Sequence, residues 1–338
     1  MYQVARREGD PFIYLNPGNR WYYYDPTSKP LGAGSMGTVY LGYAMDTRER
    51  IAVKRVNDMF SNNVEIRRRA MNEANLVFFH PNIVRMLGVC TEAQNYGPIF
   101  ILSEFVDGLT FEDYARQNLT FLPEDARLSK IVEMAIPLLD ALQVLHDNKI
   151  VHRDIKPSNI MVQKDGTVKL MDLGIAKVSD SGTGHKTIGF IGTTQYAAPE
   201  LLVGDNEVSK SDYRVDIYAF GVTLYELMTG NNPFDAPTQV EVMMKQLRSP
   251  LPHTATIPSA LFSMLRKATE KRREDRYQSA LEMKNDLVDY LQARNGTGSK
   301  LRISRTGHNR KPLLIAMCLL AVLTVFQVVG LVLIYNSL

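Results

Sequence analysis

The segment His152-Arg153-Asp154-Ile155-Lys156-Pro157-Ser158-Asn159, followed by Asp172-Leu173-Gly174, gathers a carboxylate, an ammonium group and two oxygen-bearing metal ligands into a short stretch. That set suits phosphoryl transfer. There a protein has little covalent chemistry to perform: it aligns a hydroxyl with a γ-phosphate while cations neutralise charge. In such a site Asp154 would take the hydroxyl proton and Lys156 would sit by the γ-phosphate. Asn159 and Asp172 would hold the metal ions through their side-chain oxygens. A lone His-Arg-Asp arises by chance. The lysine and asparagine at these offsets, with an Asp-x-Gly after a short strand pattern, argue against accident.

A second group of residues could hold the nucleotide. Leu31-Gly32-Ala33-Gly34-Ser35-Met36-Gly37-Thr38-Val39 carries G-x-G-x-x-G, and glycines let a backbone approach phosphates closely. Alone, the pattern also fits a dinucleotide fold, in which it follows a strand and opens a helix. Here strand-like residues flank it on both sides. Ile51-Ala52-Val53-Lys54 follows at hairpin distance, and Lys54 would bridge the α- and β-phosphates. The plainer reading of Lys54, a surface lysine at a strand end, requires every other match to be coincidence. Taken together these motifs resemble those of the protein kinases. The form they resemble most is the bacterial eukaryotic-like Ser/Thr protein kinase, over roughly residues 31–291.

The resemblance implies an α+β bilobal protein kinase fold, with a small β-rich N-lobe and a large α-helical C-lobe. It implies ATP with Mg²⁺, for which Mn²⁺ could substitute, and Ser/Thr-bearing protein substrates. Gly32, Gly34 and Gly37 would face the phosphates. Phe100-Ile101-Leu102-Ser103-Glu104-Phe105-Val106 resembles the strand and hinge that receive adenine. Glu104 and Val106 would then supply backbone hydrogen bonds, and Val39, Ala52 and Met161 the apolar faces. Ser103 would guard the back pocket. A helix carboxylate should pair with Lys54. Glu73, ahead of His80-Pro81-Asn82, is the first candidate, although its interval to that motif is shorter than usual; Glu65, farther upstream, is the alternative.

Further matches concern regulation and the acceptor. Leu173 stands where the family commonly has Phe, a smaller apolar plug that should preserve activity and alter the inactive flip. Ala198-Pro199-Glu200 matches the end of the activation segment, and Glu200 should pair with Arg276. Arg273 stands where Pro is usual, which leaves room for a different local turn. Asp216 should anchor the catalytic loop from a central helix, unless it is merely an acid at a helix N-terminus. Lys156 and Thr193 imply Ser/Thr acceptors, with Thr193 bonding Asp154 and Lys156. Arg153 beside Asp154 suggests activation by a loop phosphate. Thr187, Thr183, Ser181 and Ser179 are the acceptor candidates, Thr187 first; most such residues are simply loop-forming. Two rivals remain in view. A pseudokinase scaffold would lack Lys54, Asp154, Asn159 or Asp172. A small-molecule phosphotransferase of this fold would usually lack the Ala-Pro-Glu segment.

The elements that must position these groups follow from periodicity. Residues 1–30 read as a lead-in packed on the first sheet, with an extra strand at Trp21-Tyr22-Tyr23-Tyr24. Strand patterns run to about residue 104, interrupted by a charged helical stretch at 63–78. Helical periods then dominate, at 128–147, 211–229, 238–247, 259–271 and 279–294. The kinase unit is expected over residues 31–293, and a basic, Gly- and Ser-rich tether over 294–312.

Composition limits the remaining classes. A chain of 338 residues, 45% hydrophobic and 22% charged, can bury a large core. A net charge of +3 gives no ground to expect nucleic acid, and two cysteines are too few for a disulfide framework. No signal peptide is expected from the first residues. Residues 313–335 carry no charge and are long enough to cross a bilayer as a helix. The basic residues before them place the kinase unit on the cytoplasmic side of the cell membrane, as a single-pass protein in contact with lipid. A tail of residues 336–338 leaves no outer sensor domain. Gln327 and Gly330 share a helix face, which could support a homodimer or merely face lipid.

Overall fold

The computed structural model describes residues 3–34, 37–61, 67, 79–92, 97–171, 194–203, 212–294 and 296. The expected division into a β-rich first lobe and a helical second lobe is present. The first lobe is one antiparallel sheet of β1 (Gln3–Arg6), β2 (Ile13–Asn16), β3 (Tyr22–Tyr24), β4 (Gly32–Gly34), β5 (Gly37–Ala44), β6 (Arg50–Val56), β7 (Met86–Thr91) and β8 (Ile99–Glu104). Its order is β1-β2-β3-β5-β6-β8-β7, with β4 paired to β5. Strand alternation sorts the side chains. Ile51, Val53, Phe100 and Leu102 are buried on one face, packed with Ile13, Leu15, Tyr22 and Tyr24. Ala52, Lys54, Ile101 and Ser103 point to the opposite, half-buried face.

Residues 3–24 hold more structure than the single strand expected near 21–24. β1 and β2 are too short to show a period, and the turn between them depends on Asp10, whose carboxylate accepts from the Phe12 amide at 2.9 Å and the Tyr14 hydroxyl at 2.6 Å. The added strands curl the sheet until β1 approaches β7. Arg6 meets Glu92 at 2.8 Å. Gly88, at φ +139°, lies so close to Pro17 that a Cβ there would stand 2.4 Å from the proline Cβ. Only glycine combines that backbone with that approach.

The second lobe is built on α3 (Glu124–Asp147) and α5 (Arg214–Thr229), with α2 (Phe111–Tyr114), α4 (Pro199–Leu202), α6 (Gln239–Arg248), α7 (Ser259–Ala268) and α8 (Ala280–Arg294) around them; α1 (Asp58–Ser61) is a single turn in the first lobe. The helix α5 is buried on nearly every side, as a sequence apolar all round requires. It stops at Gly230, which adopts φ +81° and donates its N–H to Glu226 at 2.7 Å. The period at 259–271 suggested a longer α7. The helix ends at Ala268, and Arg276 bonds the carbonyls of Glu270 and Lys271 beyond it, at 2.7 and 3.0 Å. Likewise the segment expected from 211 becomes helical only at Arg214, whose N–H bonds the Asp212 carboxylate at 3.0 Å. A separate small sheet is formed by β9 (Gly108–Thr110), β10 (Ile160–Gln163) and β11 (Val168–Leu170), in the order β11-β10-β9.

Among the described residues no helix is long and apolar enough to cross a membrane. The 294–312 tether falls largely, and the 313–335 run wholly, outside the described residues.

Candidate active site

Strand register assembles the nucleotide side. In β5 and β6, Val39 lies opposite Lys54 and Leu41 opposite Ala52. In β6 and β8, Ala52 lies opposite Ser103 and Lys54 opposite Ile101. Directly opposed residues share a sheet face. Val39, Ala52, Lys54 and Ser103 therefore line one surface, although they come from three strands. The glycine-rich segment is a hairpin in which Gly32 opposes Val39 and Gly34 opposes Gly37. A Cβ on Gly37 would come within 2.4 Å of the Arg55 carbonyl oxygen, whereas one on Gly34 would meet nothing within 4 Å. Gly37→Ala should thus force β5 and β6 apart and cost about 2 kcal/mol, read as a lower Tm. Gly34→Ala should leave stability within about 0.5 kcal/mol of wild type.

At the hinge, Glu104 donates its N–H to the Arg85 carbonyl at 2.9 Å, so only its carbonyl remains to serve a ligand. Its carboxylate is held by Lys169 Nζ at 2.6 Å and by the Arg85 N–H at 3.0 Å. Lys169 precedes the Asp172 segment on β11, so this pair ties the hinge to the second lobe. No pattern in the sequence links the two residues; only the meeting of β8 with β11 does. Val106, two residues on from Glu104, is buried. Met161 is half-buried on β10, facing away from the packed Ile160 and Val162.

The catalytic segment is held mainly by its backbone. Asp216, fully buried on α5, accepts from the His152 N–H at 2.8 Å, the Arg153 N–H at 2.7 Å and His146 Nε2 at 2.9 Å. Burial alone would push this carboxyl up, but the His146 hydrogen bond and the charges and amides around it outweigh that and hold it below its usual range. Arg153 sits at φ +61°, a left-handed conformation costly for a side chain with a Cβ. The charge-assisted bond from its amide to Asp216 stabilises that bend. His152 is buried and bonds the Met171 carbonyl through Nε2 at 2.8 Å, while Met171 donates its N–H to the Asn159 carbonyl at 2.9 Å. These bonds tie the segment to the residue just before Asp172.

Among the described residues, Asp154, Lys156 and Asn159 come close together. Lys156 Nζ lies 3.5 Å from Asp154 Oδ2. Asn159 Nδ2 donates to the Asp154 carbonyl at 2.9 Å. A carbonyl can only accept, so the Asn159 NH₂ faces Asp154 and its Oδ1 turns away. A hard oxygen so presented fits Mg²⁺. Beyond the segment, Glu200 and the fully buried Arg276 form a two-pronged pair at 2.7 and 2.8 Å. The remaining Arg276 donors meet three carbonyls, so the buried charge is fully bonded. Arg273 reaches Asp212 at 3.4 Å.

Several expected residues lie outside the described residues: Glu73 and Glu65, Asp172 and Leu173, Thr193, and the acceptor candidates Ser179, Ser181, Thr183 and Thr187.

Residues 26–288 match the family model described as the protein kinase domain. The chain is 36% identical over 264 residues to the probable serine/threonine-protein kinase CPE1738 of Clostridium perfringens, covering 76% of this chain and 37% of that protein. It is 36% identical over 269 residues to the serine/threonine-protein kinase PknB of Mycobacterium tuberculosis, covering 76% and 41%. To PrkC of Bacillus subtilis, also a serine/threonine-protein kinase, it is 34% identical over 263 residues, covering 76% and 39%. The chain spans about two fifths of the length of the curated relatives it matches.

Proposed function

This chain belongs to the protein kinase family, and from that premise we propose that it transfers the γ-phosphate of ATP to Ser and Thr hydroxyls of proteins. The observation that carries the reading is the convergence of Asp154, Lys156 and Asn159 on a loop whose backbone Asp216 holds. Asp154 accepts the hydroxyl proton, and Lys156 balances charge on the transferring group. Lys54 holds the α- and β-phosphates, with Glu73 as its carboxylate partner. Glu104 and Val106 bond adenine, while Val39, Ala52 and Met161 enclose it and Gly32, Gly34 and Gly37 admit the phosphates. Asn159 and Asp172 would hold Mg²⁺, which supplies charge neutralisation at the phosphates. Purified protein incubated with labelled Mg-ATP and a basic protein acceptor should yield phosphoserine and phosphothreonine. Label confined to tyrosine, or no label at all, would reject the reading.

Ser103 opposes Ala52 on the face shared with Lys54, and its side chain is small. ATP analogues with a bulky N6 substituent should therefore compete with ATP, with inhibition constants within about tenfold of the ATP KM. Ser103→Met should abolish that competition while retaining turnover of ATP.

The rest of the organisation follows the sequence. The kinase unit covers residues 31–293, a basic tether 294–312, and residues 313–335 cross the cell membrane with the kinase on its cytoplasmic side. Autophosphorylation falls on Thr187, Thr183 or Ser181, with Thr193 shaping the acceptor site, and pairing through Gln327 and Gly330 brings two copies together. The support is the uncharged run with its basic flank and the arginine beside Asp154. Retention of the full chain in the membrane pellet after alkaline extraction, and its loss on removal of residues 313–338, is the corresponding test.

A further inference from the structure

A second polar chain runs through the helical lobe and ends on the backbone just after Thr193. Lys271, half-buried past the end of α7, donates from Nζ to the Tyr218 hydroxyl at 2.8 Å. Its ammonium also lies 4.2 Å from the centre of the Phe234 ring. Tyr218, fully buried on α5, donates its hydroxyl to Gln246 Oε1. Gln246, fully buried on α6, donates from Nε2 to the carbonyls of Thr194, at 3.3 Å, and Gln195. A lysine ammonium can only donate and a backbone carbonyl can only accept. Every hydrogen bond between those ends must therefore run the same way, from Lys271 towards the loop. Among the described residues, no hydrogen bond joins these three side chains to Asp154, Lys156 or Asn159.

We propose that Lys271, Tyr218 and Gln246 are positioning residues that hold the Thr194–Gln195 backbone in the shape that receives the acceptor peptide. This rests on the kinase reading above and adds to it a control on peptide binding.

The chain has a natural point of failure at its cationic end. Burial, and then the charge of Arg276, push the Lys271 amine down to about 7, against the opposing pull of Glu270. Arg276 lies over the Tyr218 ring at 4.9 Å and is itself paired with Glu200 of α4. Tyr218 stays a neutral phenol, since burial pushes it further up. Among the described residues, these are the charged and titratable groups acting on Lys271 from α4, α5, its own segment and the turn before α8. Below about pH 7 the amine is an ammonium and the chain has one direction. Above it a neutral amine can accept, so the Tyr218 hydroxyl can turn from Gln246 to Lys271. The Gln246 amide then loses its donor and is free to rotate away from the two carbonyls.

Steady-state kinetics of the full chain, varying peptide and ATP separately between pH 6 and 9, test this. For wild type the peptide KM should rise about tenfold across that range while the ATP KM changes less than about twofold. Tyr218→Phe removes one hydroxyl and should raise the peptide KM about tenfold at pH 6, with the ATP KM unchanged. Lys271→Arg keeps its charge throughout and should abolish the rise at alkaline pH. An active wild type whose Tyr218→Phe and Gln246→Met forms keep the wild-type peptide KM would overturn the inference alone. So would a Lys271→Arg profile identical to wild type. A wild-type chain that phosphorylates no peptide would instead sink the kinase reading, and this inference with it.

Discussion

Asp154→Asn is expected to lower kcat about a thousandfold while the KM for ATP stays within about twofold of wild type. The substitution keeps the shape of the side chain and removes its ability to take a proton. Two backbone contacts that place the residue do not use its carboxylate. Its N–H faces His152 Nδ1 at 3.3 Å, and its carbonyl accepts from Asn159 at 2.9 Å. The loop should therefore stay in place and nucleotide should still bind. Lys156, 3.5 Å from the carboxylate, would face a neutral amide instead of an anion, which makes proton acceptance the principal loss. Peptide turnover and nucleotide binding by calorimetry read the two effects separately. A variant retaining a tenth or more of wild-type kcat would show that another group accepts the proton.

Asp216→Ala should act without touching either substrate. Three donors aim at this one carboxylate, from His152, Arg153 and His146, all within 3 Å. Removing it leaves them without an acceptor in a site closed to water, at a cost of about 3–5 kcal/mol, comparable to breaking a buried ion pair. The left-handed turn at Arg153 also loses the bond that offsets its strain. Relaxation there displaces Asp154, and a shift of about 1 Å can cost on the order of a hundredfold in kcat. Both a lower unfolding midpoint and a lower kcat are expected. Asp216→Asn separates the two effects if the alanine form folds poorly. Two successive N–H groups face two oxygens, so an asparagine must present its NH₂ to one of the donors. It should recover part of the stability and little of the rate. Wild-type kcat in the asparagine form would show that the amides at 152 and 153 need no anion.

The chemistry-bearing residues were legible from spacing because local geometry governs them. The offsets from Asp154 to Lys156 and Asn159 place all three on one tight loop, where Asn159 can bond back to the Asp154 carbonyl. The alternation through Ala52, Lys54 and Ser103 likewise reads directly as one face of a sheet. Helix interiors followed their periods, and the ends at Asp147, Thr229 and Arg294 fell where those periods stop, whereas α7 ended three residues early. α7 stops at Ala268, and Arg276 bonds the Glu270 and Lys271 carbonyls in the turn beyond it.

Family resemblance pointed to the pairing of Glu200 with Arg276 and to Asp216 under the loop, but their geometry belongs to the folded chain. The tie between Glu104 and Lys169, the curl of residues 3–24 onto β7, and the path from Lys271 to Gln195 carried no signal in the chain. Each joins residues far apart in the sequence through a few isolated contacts, which leave no period. What the amino-acid order determined alone was which groups stand within a turn or a strand of one another. Which lobe, edge or loop each then meets depended on packing, because burial specifies that apolar faces must meet and leaves unspecified which polar atoms they bring together.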